Sequence, residues 1–339
     1  MPAERRADVY ARESAPEAEW AAWIEALGPE AGFLQTPAWA AINEAAHGVT
    51  SYLVIARDER GAIGGGALLS LGAGRLDCFE GPVLAPGDRP ATLAALLDGI
   101  DRLAAEQGAS RVVLHGRPPA SSWWPDAELD RAFGAKGYAA TPWLTALVDL
   151  RPAEDALLAS FRSAARKAVR RCAEQGVTVL QCEDFDGYME RFVVPYHGPR
   201  EGPDAYRVDR AMWELDRGRN YRFFAARDGA DGPILGTLGT YAHAGVATEI
   251  MSRRTEAGVR HGAPVQDALH WAAFRVHKRA GDVLFNLAGF APEPSSAKEA
   301  GIRRFKEKWN GETVPVPRFE LVRGLAERGK RALRAVIRT

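Results

Sequence analysis

The segment Phe305-Lys-Glu-Lys-Trp309 carries the side chain best suited to chemistry. In a helix at about 100° per residue, Lys306 lies about 65–70° from the centre of the apolar stripe, whereas Glu307 lies almost opposite. A lysine ammonium in this position can reach a cleft and stabilise an oxyanion during group transfer. Lys306 is therefore the candidate catalytic residue. The alternative is a lysine that lies along Trp309 with its charge in water.

A second group of cations lies near the middle of the chain. We predict one helix over Glu154–Gln175, on which Arg162, Arg166 and Arg170 follow one another at four-residue spacing. Lys167 and Arg171 flank this line, so the five cations predict contacts to the phosphates of an RNA. The alternative is a solvated helix face.

Other polar residues give weaker signals. Arg200 and Arg207 flank a turn-rich region and are candidates for binding an acceptor substrate. His270 and His277 are one heptad apart on a predicted helix, too far apart to share a metal without further ligands. We therefore predict no metal site.

Composition limits the classes of function. Lys and Arg together number 44, as do Asp and Glu, so no global field attracts nucleic acid and any RNA contact must be local. Three widely spaced cysteines indicate neither a disulfide framework nor a metal knuckle. The N-terminal residues lack the apolar core of a signal peptide, and no run of about 18 apolar residues occurs. These observations predict a cytoplasmic protein.

The elements that position Lys306 have counterparts earlier in the chain. Strand pairs, a helix ended by glycine with its following strand, and an aromatic–lysine turn recur at offsets of 169, 173 and 172 residues. We predict an α/β protein made of duplicated units, 1–150 and 151–322, the second opening with the basic helix 154–175. A basic helix or tail, 323–339, follows, and it is a candidate for weak contact with RNA or an anionic membrane.

This order of features resembles the Fem-type aminoacyltransferases, which belong to the GNAT-fold acyltransferases. The resemblance covers about Phe33 to Phe319 and rests on Phe33-Leu-Gln-Thr-Pro-Ala-Trp39, the basic helix before Gly176 and the Gly301–Gly311 segment. It implies tandem GNAT-like units that transfer an amino acid from aminoacyl-tRNA to an amine, forming an amide bond. Known acceptors are peptidoglycan precursors, and some relatives modify peptides or small metabolites.

The resemblance also implies roles for single residues. Lys306 lies where the family has a functional lysine near the reacting carbonyl. Trp39 belongs to the first motif and is assigned to substrate binding. Asn43 stands where acceptor-binding members often have a phosphate-binding lysine, which disfavours a UDP-linked acceptor. The segment Leu114-His115-Gly-Arg117-Pro118 lacks the carboxylate that many members carry in an Asp-Pro pair. His115 is therefore a candidate base or substrate contact, or alternatively a strand-end histidine bonded to backbone.

Two other functions stay open at this point. An acyl-CoA-dependent N-acyltransferase needs a glycine-rich turn that opens a helix and binds pyrophosphate. The corresponding turn, Gly258–Pro264, has glycines at other spacings, which favours aminoacyl-tRNA as the co-substrate and no further cofactor. The third possibility is a non-catalytic adaptor for RNA or membrane surfaces.

Overall fold

The computed structural model describes residues 6–87, 89–117, 127–189, 206–216, 220–316 and 318–324. The chain forms two compact units, the first made of the chain up to Trp143 with the segment from Pro315 onward, and the second made of Leu144–Val314.

The first unit is a mixed sheet with helices. Its sheet has the order β1-β2-β3-β4-β6-β15-β7, and β5 pairs with β3. The strands are β1 Ala7–Ala11, β2 Thr50–Arg57, β3 Ile63–Gly72, β4 Arg75–Cys78, β5 Val83–Leu84, β6 Arg111–His115, β7 Ala139–Thr141 and β15 Arg318–Val322. The helices are α1 Glu17–Leu27, α2 Pro37–His47, α3 Arg89–Glu106 and α4 Ala127–Ala135. The apolar face of α3 packs on the sheet to form the main core of this unit.

The second unit repeats this plan. Its sheet has the order β14-β8-β13-β12-β11-β10-β9. The strands are β8 Leu144–Asp149, β9 Val177–Gln181, β10 Tyr221–Asp228, β11 Ile234–His243, β12 Val246–Arg254, β13 Leu284–Phe290 and β14 Glu312–Pro315. The helices are α5 Glu154–Ser160, α6 Ser163–Glu174, α7 Phe185–Tyr188, α8 Arg207–Asp216, α9 Glu256–His261, α10 Val265–Arg279 and α11 Ala297–Glu307. The core lies between the sheet and α5, α6 and α10.

The duplication is visible in backbone details. The hairpin β2–β3 has a register shift after Ala56, and the hairpin β10–β11 has one after Ala226. Each unit then turns into its next strand through an alanine with positive φ, Ala73 at 49° and Ala244 at 48°, followed by glycine. Two consecutive left-handed residues match the twist of a hairpin. The predicted tandem of α/β units is confirmed.

The boundaries of the units differ from those predicted at 150 and 322. Strand β8, expected in the first unit, pairs with β13 in the second sheet, and β15, expected in the second unit, pairs with β6 in the first. Packing explains the second exchange, because the ring of Phe319 stacks on Phe133 at 3.8 Å and Leu321 is buried in the first core. Each sheet is completed by a strand from a distant part of the sequence.

The predicted helix Glu154–Gln175 is two helices. The backbone of Phe161 is extended between α5 and α6, and the amide of Arg162 donates to the carbonyl of Lys308 at 3.0 Å. The break lets the Phe161 ring enter the core, where it meets Trp309 edge-on at 5.0 Å. An uninterrupted helix would give up this contact.

The basic helix or tail predicted over 323–339 directly follows β15. Leu321 and Val322 belong to β15. The remainder of that prediction, from residue 325, lies outside the described residues.

A buried histidine on α10 leads us to expect that acid destabilises the second unit. His277 is fully buried on α10, with Nδ1 2.8 Å from Asp282 Oδ2 and Nε2 2.8 Å from the Thr240 hydroxyl. These partners suit a neutral ring that donates through Nδ1 and accepts through Nε2. Burial lowers the pKa of His277 from its ordinary value, although Asp282 opposes the change.

We therefore predict that the free energy of unfolding decreases as the pH falls below about 6.5, because the unfolded chain then binds a proton that the folded His277 does not. The change from one such group is at most about 1.4 kcal/mol per pH unit. Urea unfolding between about pH 5 and 7.5 measures it. His277→Gln should be less stable near pH 7.5 and should show a shallower pH dependence. Parallel curves for the two proteins would contradict this assignment.

Candidate functional site

In the second sheet the pairing between β12 and β13 ends partway along the strands, and we call the gap beyond this point the cleft. These strands pair in parallel from Val246–Thr248 on β12 to Leu284–Asn286 on β13. Beyond that point β12 continues to Arg254 and β13 to Phe290 without pairing to each other. The backbone groups along the two inner edges are thus released from the ladder and can contact a substrate.

A bulge in β12 changes the direction of the side chains of this strand where the cleft begins. Thr240 of β11 is opposite Glu249, and Gly239 is opposite Met251, so Ile250 is the extra residue. A bulge re-aims the neighbouring side chains and increases the local twist. Glu249 is the first residue after the parallel pairing, and its side chain faces α10.

A second irregularity lies on β13. Its register with β8 shifts between Asn286 and Gly289, and Ala288 has a φ of 59°. The side chain of Asn286 accepts from the amide of Ala288 at 2.9 Å, and the Thr145 hydroxyl lies 2.8 Å from the Ala288 carbonyl. These contacts hold a backbone conformation that alanine rarely adopts. They also fix the direction of the Gly289 carbonyl beside the cleft.

Lys306 reaches this cleft from α11. The helix begins after Ser296, whose hydroxyl accepts from the amide of Glu299. Lys306 is buried, with 6% of its surface exposed, and its Nζ donates to the Gly289 carbonyl at 3.0 Å. It lies deeper than its angle from the apolar stripe of the helix predicted, whereas Ile302 on the same helix is 37% exposed.

Two residues that the sequence did not single out for chemistry lie beside Lys306. Nε2 of the fully buried His270 is 3.2 Å from Oε2 of Glu249. Nδ1 of the same ring is 2.6 Å from the carbonyl of Gln266, one turn earlier on α10. Glu249, His270 and Lys306 form a buried polar cluster at the base of the cleft. A single Glu on an amphipathic strand and a single His on an amphipathic helix form no recognisable motif in the sequence. Only the fold therefore reveals this cluster.

The charges of the cluster act on one another. Burial raises the pKa of Glu249, but the charge and hydrogen bond of His270 and the charge of Lys306 outweigh it and hold that pKa below its ordinary value. Burial lowers the pKa of Lys306, while the charge of Glu249 opposes the change. Such perturbed groups in a cleft are typical of functional sites.

Lys308 has a separate role. Its Nζ lies 2.5 Å from Asp267 Oδ1, in the first turn of α10, and 4.0 Å from the Phe305 ring centre. Asp267 is 95% buried at its side chain, so removing Lys308 would leave a buried carboxylate without its cation. Lys308 is therefore a structural residue that pairs with the buried Asp267.

The segment after β12 forms a closed turn. Residues Glu256–His261 form α9, whose first turn is capped by the side chain of Thr255 accepting from the Gly258 amide. A Cβ at Gly258 would lie 1.9 Å from the Leu235 carbonyl, so glycine is needed for this close packing. The guanidinium of Arg254 donates to the Ala263 carbonyl at 2.8 Å.

The first-unit motif is part of the protein interior. The Gln35 side chain is fully buried, donating to the Phe79 carbonyl at 2.6 Å and accepting from the Leu68 amide at 2.8 Å. Trp39 is 8% exposed, and Asn43 is 5% exposed and donates to the Ser70 hydroxyl at 2.7 Å. Trp39 and Asn43 thus pack α2 against the sheet, and their predicted contact with substrate stays a prediction.

His115 lies at the end of β6, where its ring stacks on Phe79 at 4.9 Å. Its Nε2 is 3.9 Å from Asp77 Oδ1, and 32% of its side chain is exposed. Burial raises the pKa of Asp77, but hydrogen bonds from His115 and Arg75 lower it below the ordinary value. His115 therefore has an aromatic and a carboxylate neighbour in the first unit and stays a candidate acceptor contact.

The predicted arginine line is rearranged by the break between α5 and α6. The guanidinium of Arg166 donates to the carbonyls of Ala159, at 3.1 Å, and Phe161, and so caps the end of α5. Arg166 is therefore a structural cap. The exposed cations are Arg162, Lys167, Arg170 and Arg171.

The predicted acceptor-binding residues lie elsewhere. Arg207 is exposed at the start of α8. Arg200 lies outside the described residues. Within the described ranges, no group of His, Cys, Asp and Glu has the arrangement of a metal site. None of the helices in the part of the chain that the structure describes combines the length and apolar character needed to cross a bilayer.

Comparisons with known proteins agree on the fold. No protein-family model matches the chain, and no curated protein sequence matches it. Among solved structures it is similar to FemX, with a TM-score of 0.67, 13% identity and coverage of 98% of this chain and 100% of that one. It is also similar to a tandem GNAT protein from the clavulanic acid biosynthesis pathway, with a TM-score of 0.61, 14% identity and coverage of 95% and 99%.

A third similar structure is the C-terminal domain of a putative lysylphosphatidylglycerol synthetase from Agrobacterium fabrum, with a TM-score of 0.51, 17% identity and coverage of 84% and 87%. At these low sequence identities, the structural similarity establishes the fold alone. The chain therefore has a Fem-like tandem GNAT fold, an acyltransferase fold, as its sequence motifs predicted.

Proposed function

We propose that the second unit transfers an aminoacyl group from aminoacyl-tRNA to the amine of a peptide or small-molecule acceptor, forming an amide bond. The observation that carries this proposal is Lys306, which is buried at the point where β12 and β13 separate and is hydrogen-bonded to the Gly289 carbonyl. The Fem-like fold supports the same class of reaction.

Lys306 supplies the positive charge for the transition state. An ammonium has three N–H donors, and one of them is used by Gly289. Another can bond the carbonyl oxygen of the aminoacyl ester as it becomes an oxyanion. An ester is already activated, so the amine attacks it directly and no covalent enzyme intermediate is needed.

Glu249 is the proton acceptor in this proposal. The amine nitrogen bonds to the ester carbon, the carbon–oxygen bond to the ribose breaks, and the amine proton passes to the Glu249 carboxylate. Glu249 then returns that proton to the ribose oxygen, so charge and atoms balance. The low pKa of Glu249 keeps it ionised and able to accept at neutral pH.

The geometry after β12 disfavours acyl-CoA as the donor. A pyrophosphate at the start of α10 would meet the carboxylate of Asp267, which Lys308 already pairs. The capped helix α9 uses the amide of Gly258 for its own Thr255 cap. An anion would have to displace these internal contacts.

The remaining partners follow from the donor. A tRNA donor needs no additional cofactor, and its use places the reaction in the cytoplasm. The exposed cations of α6, Lys167, Arg170 and Arg171, with Arg162 before them, are the surface we assign to RNA phosphates. Arg207 and His115 remain candidates for the acceptor, as does Arg200, outside the described residues. Weak membrane contact through the basic C-terminal residues stays a prediction.

The direct test supplies total tRNA charged with labelled amino acids together with peptides bearing α- and ε-amino groups and small primary amines. We expect label to appear in an acceptor as an amide, and prior ribonuclease treatment of the donor to abolish it. A parallel reaction uses acetyl-CoA. Transfer from acetyl-CoA, or transfer that survives ribonuclease, would contradict the proposal.

Lys306→Met should reduce kcat by about 10²–10³, the usual loss for one oxyanion donor, while the protein stays folded. The matched control is Lys298→Met, an exposed lysine on the same helix, and it should retain activity. Lys308→Met is unsuitable as a control, because losing one partner of a buried pair costs about 3–5 kcal/mol of stability. Equal activity of the Lys306 and Lys298 variants would refute the role of Lys306.

The double variant Lys167→Glu with Arg170→Glu should raise KM for charged tRNA. It should also reduce the slope of the logarithm of the binding constant against the logarithm of the salt concentration by about one per lost phosphate contact. The control, Arg60→Glu with Arg131→Glu, makes the same change in net charge at exposed sites of the first unit. If both double variants alter KM equally, the effect is one of net charge and α6 is not an RNA-binding surface.

A further inference from the structure

The hydrogen bonds of His270 determine where its protons lie. Nδ1 is 2.6 Å from the carbonyl of Gln266, and a carbonyl can only accept, so Nδ1 carries a hydrogen. Gln266 is itself fixed, because its side-chain amide donates to the Arg253 carbonyl and its Oε1 accepts from the Ser252 hydroxyl at 3.1 Å. The ring of His270 is thus held in one orientation relative to β12.

The other ring nitrogen faces a carboxylate. Nε2 lies 3.2 Å from Glu249 Oε2. With Nδ1 protonated, a neutral imidazole would present a lone pair to an ionised carboxylate, and two acceptors do not bond. One further proton must lie between His270 and Glu249. An imidazole nitrogen is ordinarily more basic than a carboxylate, so the shared proton belongs on His270 rather than on Glu249.

The surrounding charges agree with this arrangement. Asp267 lies one turn before His270 on α10, and the charges of these two residues interact. The Asp267 carboxylate also forms an ion pair with Lys308. His270, Lys306 and Lys308 as cations, with Glu249 and Asp267 as anions, leave one positive charge in excess. An oxyanion formed at Lys306 would neutralise that charge, so the cluster is complementary to the transition state of acyl transfer.

We propose that His270 is a positioning residue, an imidazolium at neutral pH that keeps Glu249 ionised and oriented toward the cleft between β12 and β13. This inference rests on the proposed function for its consequence in catalysis, whereas the charge state of His270 can be measured without any substrate. The aromatic rings of Phe305, at 4.9 Å, and Trp309, at 6.1 Å, shield the pair from water.

His277 provides an internal contrast on the same helix. It is equally buried and also has a carboxylate partner, yet its second nitrogen faces a hydroxyl, which can donate to it. A neutral ring satisfies both contacts of His277, but not those of His270.

Nitrogen-15 NMR of the histidine rings in the wild-type protein tests the charge state directly. At pH 7 we expect His270 to have both ring nitrogens protonated and His277 to have a proton on Nδ1 alone. The signals are assigned by their loss in His270→Gln and His277→Gln. A neutral His270 with an unprotonated Nε2 would overturn the inference, even if the enzyme used another donor.

The pH dependence of kcat/KM tests the consequence. Removing a cation next to Glu249 should move the acid limb of the profile about 1–3 pH units higher in His270→Gln, whereas His277→Gln should keep the wild-type limb. A loss of rate at every pH with an unchanged limb would show that His270 serves packing alone. Failure of all variants and wild type with aminoacyl-tRNA would reject the proposed function and leave the NMR result decisive for His270.

Discussion

The cleft depends on one backbone constraint, which is that the parallel pairing of β12 and β13 ends at Thr248 and Asn286. Bulges on both strands maintain this separation, and the Thr145–Asn286–Ala288 contacts hold the one on β13. The separation creates space within a sheet and exposes a carbonyl, that of Gly289, to which Lys306 binds. Every charge proposed to act in catalysis is arranged around this gap.

The two units use the same plan for different purposes. In the first unit the parallel pairing of β4 with β6 continues to Cys78, the last residue of β4, which is opposite Leu114 of β6. The buried side-chain amide of Gln35 lies next to Cys78. In the second unit the corresponding region holds Glu249, His270 and Lys306. The motif Phe33–Trp39 contributes buried contacts to the first unit, and the role of Trp39 in substrate binding stays a prediction.

Periodicity and turn residues predicted the helices that carry Lys306 and His270, because these depend on local sequence. The exchange of β8 and β15 between sheets could not be predicted, since it is decided by long-range packing such as that of Phe319 on Phe133. The site followed the same rule. The motif made Lys306 a candidate, whereas Glu249 and His270 meet only because a strand bulge and a helix face bring them together. Arg166 had the right charge, but a local helix break directs it to backbone carbonyls.

The central claim is that the aminoacyl ester binds between β12 and β13 with its carbonyl at Lys306. The most direct measurement is a crystal structure with a non-hydrolysable analogue, an adenosine whose ribose carries the amino acid through an amide. The account predicts that the amide carbonyl oxygen lies within about 3 Å of Lys306 Nζ. An analogue bound elsewhere, or bound in the cleft with its carbonyl turned away from Lys306, would contradict it.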